Sequence, residues 1–406
     1  MIKQVVAITL LFSFQANSQF ELSGQFRPRS EFRQGFQQLF DSDNAPAFFI
    51  DQRSRISSNF KNEKIEFHFV LQDYRTWGNT PQLNTSDYGL SIHESWAKLK
   101  INKLNNVKLG RQEIVFDNAR IFGNVDWAQQ GRKHDAILYN YKRKHEVNVG
   151  FAYNSNNPSL TNQTYTVSNN YKTLGFARTK LENEKMKLSL LFISVGRNST
   201  TSSRIFYEQT AGAYLSRNFG KKLSVETEGF YQFGNNVIGE RKNAYFLSFK
   251  LRQKLYDQIS FKLGAEILSG NNLGETSNGF DPLFGTHHKF YGHMDYFYVG
   301  NPHGNKGLQD YYFTVEGNLS KNYSYLITSH YFLSNNPLSN TQRKLGFETD
   351  CVFRVKLNEL TGLSGGYSIM LADENMRIIK QGDELINHWG WLMLDIKTTL
   401  FKTNKK

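Results

Sequence analysis

From Phe20 onward the chain falls into segments of about ten residues in which one parity is apolar and the other is polar or charged. Successive side chains of an extended strand point to opposite faces, so each segment turns one face to hydrocarbon and one to water. In Ile259 to Ser269 the residues Ile259, Phe261, Leu263, Ala265 and Ile267 share one face, and Ser260, Lys262, Gly264 and Glu266 the other. Leu223, Val225, Tyr231 and Phe233 likewise oppose Ser224, Glu226, Glu228 and Gln232, while Tyr245, Leu247, Phe249 and Leu251 oppose Ser248, Lys250 and Arg252. Leu345, Phe347, Cys351, Phe353 and Val355 oppose Glu348, Asp350, Arg354 and Lys356, which puts Cys351 on the lipid side as a small apolar filler. A basic side chain on the lipid face near the midplane costs about 2 to 4 kcal/mol, so sorting charge onto one parity is what a membrane barrel requires. A soluble sandwich also alternates, but its strands run to about five or six residues and need no aromatic ends.

Read this way, the chain holds about eighteen strands: 21–33, 49–60, 64–75, 93–101, 106–112, 135–142, 146–154, 171–179, 187–195, 206–217, 222–234, 242–254, 258–269, 309–318, 322–333, 344–357, 361–371 and 388–401. Short connections such as Lys61 to Lys64, Lys103 to Asn105, Asn218 to Lys221 and Leu319 to Lys321 alternate with long ones at 34–48, 76–92, 113–134, 270–308 and 372–387. The pattern predicts an all-β fold: a closed antiparallel transmembrane β-barrel with short periplasmic turns and long outer loops. An even strand count with both ends on the short-turn side closes the sheet and leaves no bare edge.

Ahead of the first strand, Lys3 precedes an apolar run from Val5 to Phe14 and then Ala16-Asn17-Ser18. That is the layout of a secretory signal peptide over residues 1–18, leaving 19–406 as the barrel. The apolar core is too short to cross a bilayer as a helix. An aromatic content of 15% beside only 7 prolines favours strands, and a single cysteine excludes a disulfide framework or a CxxC metal site. The formal net charge of +13 asks for an anionic partner. Nucleic acid is excluded by export and by the absence of zinc-finger, helix-turn-helix or RNP-like patterns.

Two blocks are more specific than alternation. Gly110 to Ala136 reads GRQEIVFDNARIFGNVDWAQQGRKHDA, and Phe280 to Phe313 reads FDPLFGTHHKFYGHMDYFYVGNPHGNKGLQDYYF. Both resemble the alginate-export porin family in its Bacteroidetes form. The resemblance implies an eighteen-stranded barrel in the outer membrane of a Gram-negative bacterium, exporting a polyuronate through a narrow arginine-lined pore. It implies Arg111, Arg120 and Arg132 as residues of the basic constriction.

The residues supply a basic wall of their own. The first strand carries Glu21, Ser23, Gln25, Arg27, Arg29, Glu31 and Arg33 on one parity, with Leu22, Phe26 and Phe32 on the other. The second strand adds Arg53 and Arg55 with Asp51, and Lys250, Arg252 and Arg354 join from the polar parities of later strands. Guanidinium is planar, permanently charged and able to grip a carboxylate through two bonds, so such a wall suits uronate or phosphate groups. The same residues also fit a mixed-charge lumen, because Glu66, Glu94, Glu226, Glu228, Glu266, Glu316 and Glu348 fall on the polar parity too.

The long loop from Gly270 to Leu308 is too aromatic to float in water. It is expected to fold into the mouth or lumen as a gate, with Asp281, Phe284, Phe290, Tyr291, Asp295, Tyr296 and Tyr298 as its working residues. Loop 113–134, with Asp117, Arg120, Asp126 and Arg132, is a second gate. His287, His288, His293 and His303 crowd the first loop without recognised metal spacing, and no GxSxG or HExxH motif occurs, so no metal, cofactor or catalytic residue is expected. The sequence therefore reads as a channel for an anionic polysaccharide or oligosaccharide of the alginate type, with a general or phosphate-type anion porin as the alternative. Its expected partners are that polymer, outer-membrane lipid and lipopolysaccharide, and periplasmic polymer-handling proteins.

Overall fold

The computed structural model describes residues 18–86, 89–161, 163–199, 204–271, 277–299, 306–338 and 341–403. The expected signal peptide, Ser18 apart, and His303 lie outside them. The first six strands are β1 (Gln19–Gln34), β2 (Ala47–Lys61), β3 (Ile65–Thr76), β4 (Leu90–Lys100), β5 (Asn105–Gln112) and β6 (His134–Lys142). Then follow β7 (His145–Tyr153), β8 (Thr173–Glu182), β9 (Met186–Asn198), β10 (Ile205–Phe219), β11 (Leu223–Asn235) and β12 (Arg241–Tyr256). The last six are β13 (Ile259–Leu268), β14 (Leu308–Asn318), β15 (Tyr323–Leu333), β16 (Lys344–Lys356), β17 (Thr361–Ala372) and β18 (Ile386–Lys402). Each strand pairs antiparallel with its neighbours in sequence, and β1 pairs with both β2 and β18, so the eighteen strands close into a ring. No helix among the described residues is long and apolar enough to cross a membrane; the crossing is made by strands.

Closure answers the backbone problem of a bilayer, where an unpaired N–H or C=O has no water to turn to. The seam runs from Glu21 opposite Lys402 to Gln34 opposite His388, and its first pair is also an ion pair at 2.7 Å. Its ladder skips from the Phe26–Ile396 pair to the Arg29–Met393 pair, around Pro28, which has no N–H to give. Outward residues such as Leu247, Phe249 and Leu263 are about half exposed, as an apolar belt facing lipid demands. Cys351 lies on that belt, as expected.

Two of the register shifts bear on the interior. The β3–β4 register shifts between Val70 and Leu71, and both His93 and Glu94 then line the same inner cavity. The β15–β16 register shifts between Phe332 and Leu333, beside Gly346, whose φ of 145° favours glycine. Leu345 is fully buried there, which corrects the expectation that it shares the lipid face with Phe347 and Phe353.

Two loops occupy part of the lumen. The β5–β6 loop (113–133) and the described residues of the β13–β14 loop (269–271, 277–299 and 306–307) fold back into the barrel and meet there. Phe122 and Phe284 form a parallel bridge, Gly123 N donates to Phe284 O and Thr286 N donates to Ala119 O, each at 2.9 Å. The second loop also binds the wall, with Met294 N donating to Glu348 Oε1 at 2.9 Å and Asp281 N to Gln232 Oε1 at 2.9 Å. Phe280, Tyr291, Met294, Tyr296 and Phe297 are buried against inward-facing Phe246, Phe332 and Trp389, so the hydrophobic core of this barrel lies inside it.

Candidate functional site

Antiparallel register sets Arg27 opposite Arg53, Gln25 opposite Arg55 and Arg29 opposite Asp51. Inward parity then gathers these guanidiniums on one patch of wall, where Arg27, Arg29 and Arg53 are buried. A buried guanidinium needs partners, and they come from the β5–β6 loop. Arg27 Nη1 donates to Asp126 Oδ2 at 3.2 Å, Arg53 Nη1 lies 2.9 Å from Asp126 Oδ1 and Arg55 Nη1 3.8 Å from it. Arg29 Nη1 donates to the Trp127 carbonyl at 2.6 Å while its guanidinium lies 4.0 Å over the Trp127 ring. Glu31 takes Arg29 at 2.7 Å and Arg33 at 2.8 Å, and accepts from Trp389 Nε1 at 3.1 Å. The ion pairs of the patch thus set five guanidiniums against the three carboxylates Glu31, Asp51 and Asp126, while Glu94 and Glu113 share the neighbouring cavity with Arg55. Burial alone would raise the Asp126 carboxyl, but Arg53 and Arg27 hold it below the ordinary aspartate value.

A cavity lies on each side of this contact. One, of about 450 Å³, is lined by Arg29, Arg33, Asp51, Arg132 and Asp295, with Trp127 and Tyr74 as flat apolar walls. The other, of about 590 Å³, is lined by Gln25, Arg53, Arg55, Glu94, Glu113 and Asp126. Loop residues 125–130 separate them, and Asp126 faces the second. Val125, a β-branched residue, sits at a φ of 52°, a costly left-handed conformation that the Val125 N to Thr286 Oγ1 hydrogen bond at 3.1 Å helps to hold.

The remaining expected site residues divide. Arg111 is corrected: it lies on the outward parity with Val107 and Leu109 and is bound at 2.9 Å to Asp135, also outward, so it lines no pore. Arg120 reaches the lumen, but its charge is consumed there by Glu266 and, at 3.6 Å, Glu228. Arg132 donates to the Gly285 carbonyl at 2.8 Å and lines the first cavity, and burial lowers its pKa to about 10. Lys250 and Arg252 face inward in ion pairs with Glu226 and Glu316. Arg354 faces a third cavity, of about 530 Å³, at the short-turn end, with Lys321, Lys356 and Lys397.

Of the gate residues, Phe284 stacks on Phe122, Phe290 lies under Arg120, and Tyr291 and Tyr296 are buried, Tyr296 Oη donating to Gly35 O at 3.1 Å. Tyr298 packs on Tyr291, Asp295 binds His288 at 2.7 Å, and Asp281 stays half exposed, 4.0 Å from Arg197. His93, Glu94 and Glu113 were not foreseen as a group. His93 Nε2 lies 2.8 Å from Glu113 Oε1, and the three residues offer donor atoms within 4.8 Å that could hold a divalent cation. Against burial, hydrogen bonds from His93 and Asn124, with Arg55 adding to them, hold the Glu113 carboxyl below its ordinary value, and Arg55, which shares their cavity, works against a second positive charge there.

No protein-family profile and no curated protein sequence matches the chain. Solved structures do match in fold. OccAB4 of Acinetobacter baumannii superposes with a TM-score of 0.65 at 9% identity, covering 96% of this chain and 99% of that one. The outer membrane protein OpdK of Pseudomonas aeruginosa gives 0.64 at 9% identity over 94% and 98%, and OccK11 (OpdR) of the same organism 0.61 at 12% over 95% and 97%. The chain has the fold of these outer-membrane proteins, a closed antiparallel barrel of eighteen strands with the apolar outer surface that an outer-membrane position requires.

Proposed function

We propose that this chain is an outer-membrane channel for small anions, carboxylates first among them, which is the general anion-porin reading rather than polymer export. The observation that carries it is the convergence of Arg27, Arg53 and Arg55 on one aspartate carboxylate between two cavities. Guanidinium forks recognise carboxylate and phosphate oxygens, and a cluster of them on the wall offers an anion in passage a place to bind. OpdK, similar in fold, has been solved with vanillate, an aromatic carboxylate. Cavities of about 450 and 590 Å³ suit one ring or one sugar at a time. Trp127 and Tyr74 offer flat faces to such a ring.

Export of an alginate-like polyuronate remains a second reading, favoured by one observation: the two blocks that resemble the alginate-export porins pack on each other at the constriction. Planar-bilayer recording separates the two. Reversal potentials in a salt gradient are expected to favour anions, and Arg53→Ala with Arg55→Ala is expected to lower that preference severalfold. Benzoate or phosphate should bind reversibly, with alginate oligomers having no effect. Block by the oligomers without any effect of the small anions would favour polymer export, and a wild-type pore without anion preference would refute both.

A further inference from the structure

Asp126 has the position and the partners of a bound ligand. Its side chain is 50% exposed to the cavity, whereas those of Arg27 and Arg53 are 3% and 1% exposed. It belongs to an inserted loop rather than to the wall that supplies the arginines. The arginines are not saturated by it: Arg27 Nε, Arg53 Nε and Arg55 Nη2 are buried and make no hydrogen bond. Buried charged donors left open in this way are expensive, so the guanidiniums are held in place without full satisfaction.

We propose that Asp126 is a tethered competitor: its carboxylate sits where a carboxylate in transit is held, and passage proceeds by exchange between the two. The inference rests on the anion-channel reading and adds the residue that sets affinity. A tethered group competes at an effective concentration of about millimolar or above, because it cannot diffuse away. An incoming carboxylate must displace Asp126 from Arg53 and Arg27, and Asp126 in turn displaces it. The site thereby binds anions without retaining them, which is what conduction requires. The tether is fixed on both sides: Val125 by its bond to Thr286, and Trp127 by stacking 4.4 Å from His288 and by its contact with Arg29. The Asp126 carboxylate can therefore leave the arginines by a side-chain rotation while its backbone carbonyl, which accepts from Arg27 Nη2 at 2.8 Å, stays in place.

The test uses the full-length barrel in planar bilayers with benzoate as the probe, reading its dissociation constant from current fluctuations. Asp126→Asn keeps the shape and removes the charge, and is expected to bind benzoate about tenfold more tightly or better, with longer dwell times. Asp126→Glu restores the competitor and is expected to return toward wild-type affinity. Asp126→Ser gives the same reading as Asp126→Asn by a smaller side chain, should the asparagine variant assemble poorly. Correct closure of each variant is read from its heat-modifiable mobility on electrophoresis. An unchanged benzoate constant in a charge-removed variant that still prefers anions overturns the proposal and leaves the channel reading intact. Loss of anion preference in the wild type overturns the channel reading itself.

Discussion

Arg120 and Arg53 carry the same charge inside the same barrel and face opposite situations. Arg53 meets a half-exposed aspartate at the edge of a cavity, whereas Arg120 is enclosed by Glu228 and Glu266, with the Phe290 ring 3.4 Å away. Burial works to lower the Arg120 pKa, and Glu266, Tyr291 and Glu228 together more than reverse it. Arg120→Met would leave two buried carboxylates without a counter-ion and is expected to weaken docking of the inserted loops by about 3 to 5 kcal/mol. Proteolytic cleavage within the β13–β14 loop and noisier single-channel current would report it. Parity alone placed Arg27, Arg29, Arg53 and Arg55 on the inner wall, because alternation is a local rule. It also places Arg111 outside with Val107 and Leu109; the resemblance to a family motif pointed the other way. That Asp126 would be the partner was not legible, since it lies 99 residues from Arg27 and meets it only after a loop has turned inward.

At the scale of elements, strand positions were readable to within a few residues, as with β5 expected at 106–112 and found at Asn105–Gln112. The bulges at Val70/Leu71 and Phe332/Leu333 were not, because one extra residue resets parity without changing composition. The aromatic β13–β14 loop was expected in the mouth or lumen and its described residues lie in the lumen, but the inward Phe176, Phe230 and Phe246 that it and its partner loop help to cover read as exceptions to alternation. Alternation tells which way a side chain points and is silent on what it meets. The β17–β18 loop carries a separate test. Lys380 is buried without a hydrogen bond at its ammonium, and burial lowers its pKa to about 7. An undocked loop would bind that proton up to the ordinary lysine value of 10.5, so docking must release it at any pH between the two. Docking is therefore expected to strengthen as pH rises from about 7 toward 10.5, and to be weakest below about 7. Limited proteolysis of the loop at pH 6 and at pH 9 reads the difference, and Lys380→Met should abolish it.

For the whole molecule, the apolar exterior and the charged interior are two sides of a single wall, and each constrains the other. Leu247, in the middle of β12, is 53% exposed on the outer face, and the adjacent Ser248 faces inward. Leu247→Arg is expected to cost about 2 to 4 kcal/mol in refolding into lipid vesicles, and Ser248→Arg far less on this account. The arginine wall stands at the place where the two ends of the chain meet. Gln25 of β1 donates across the junction to Asp395 of β18 at 2.6 Å, and Trp389 of β18 holds Glu31. During biogenesis β1 and β18 must therefore pair before the arginine patch is complete. On the channel reading proposed above, a half-inserted barrel is expected to be electrically silent, with conductance appearing only once that seam has closed.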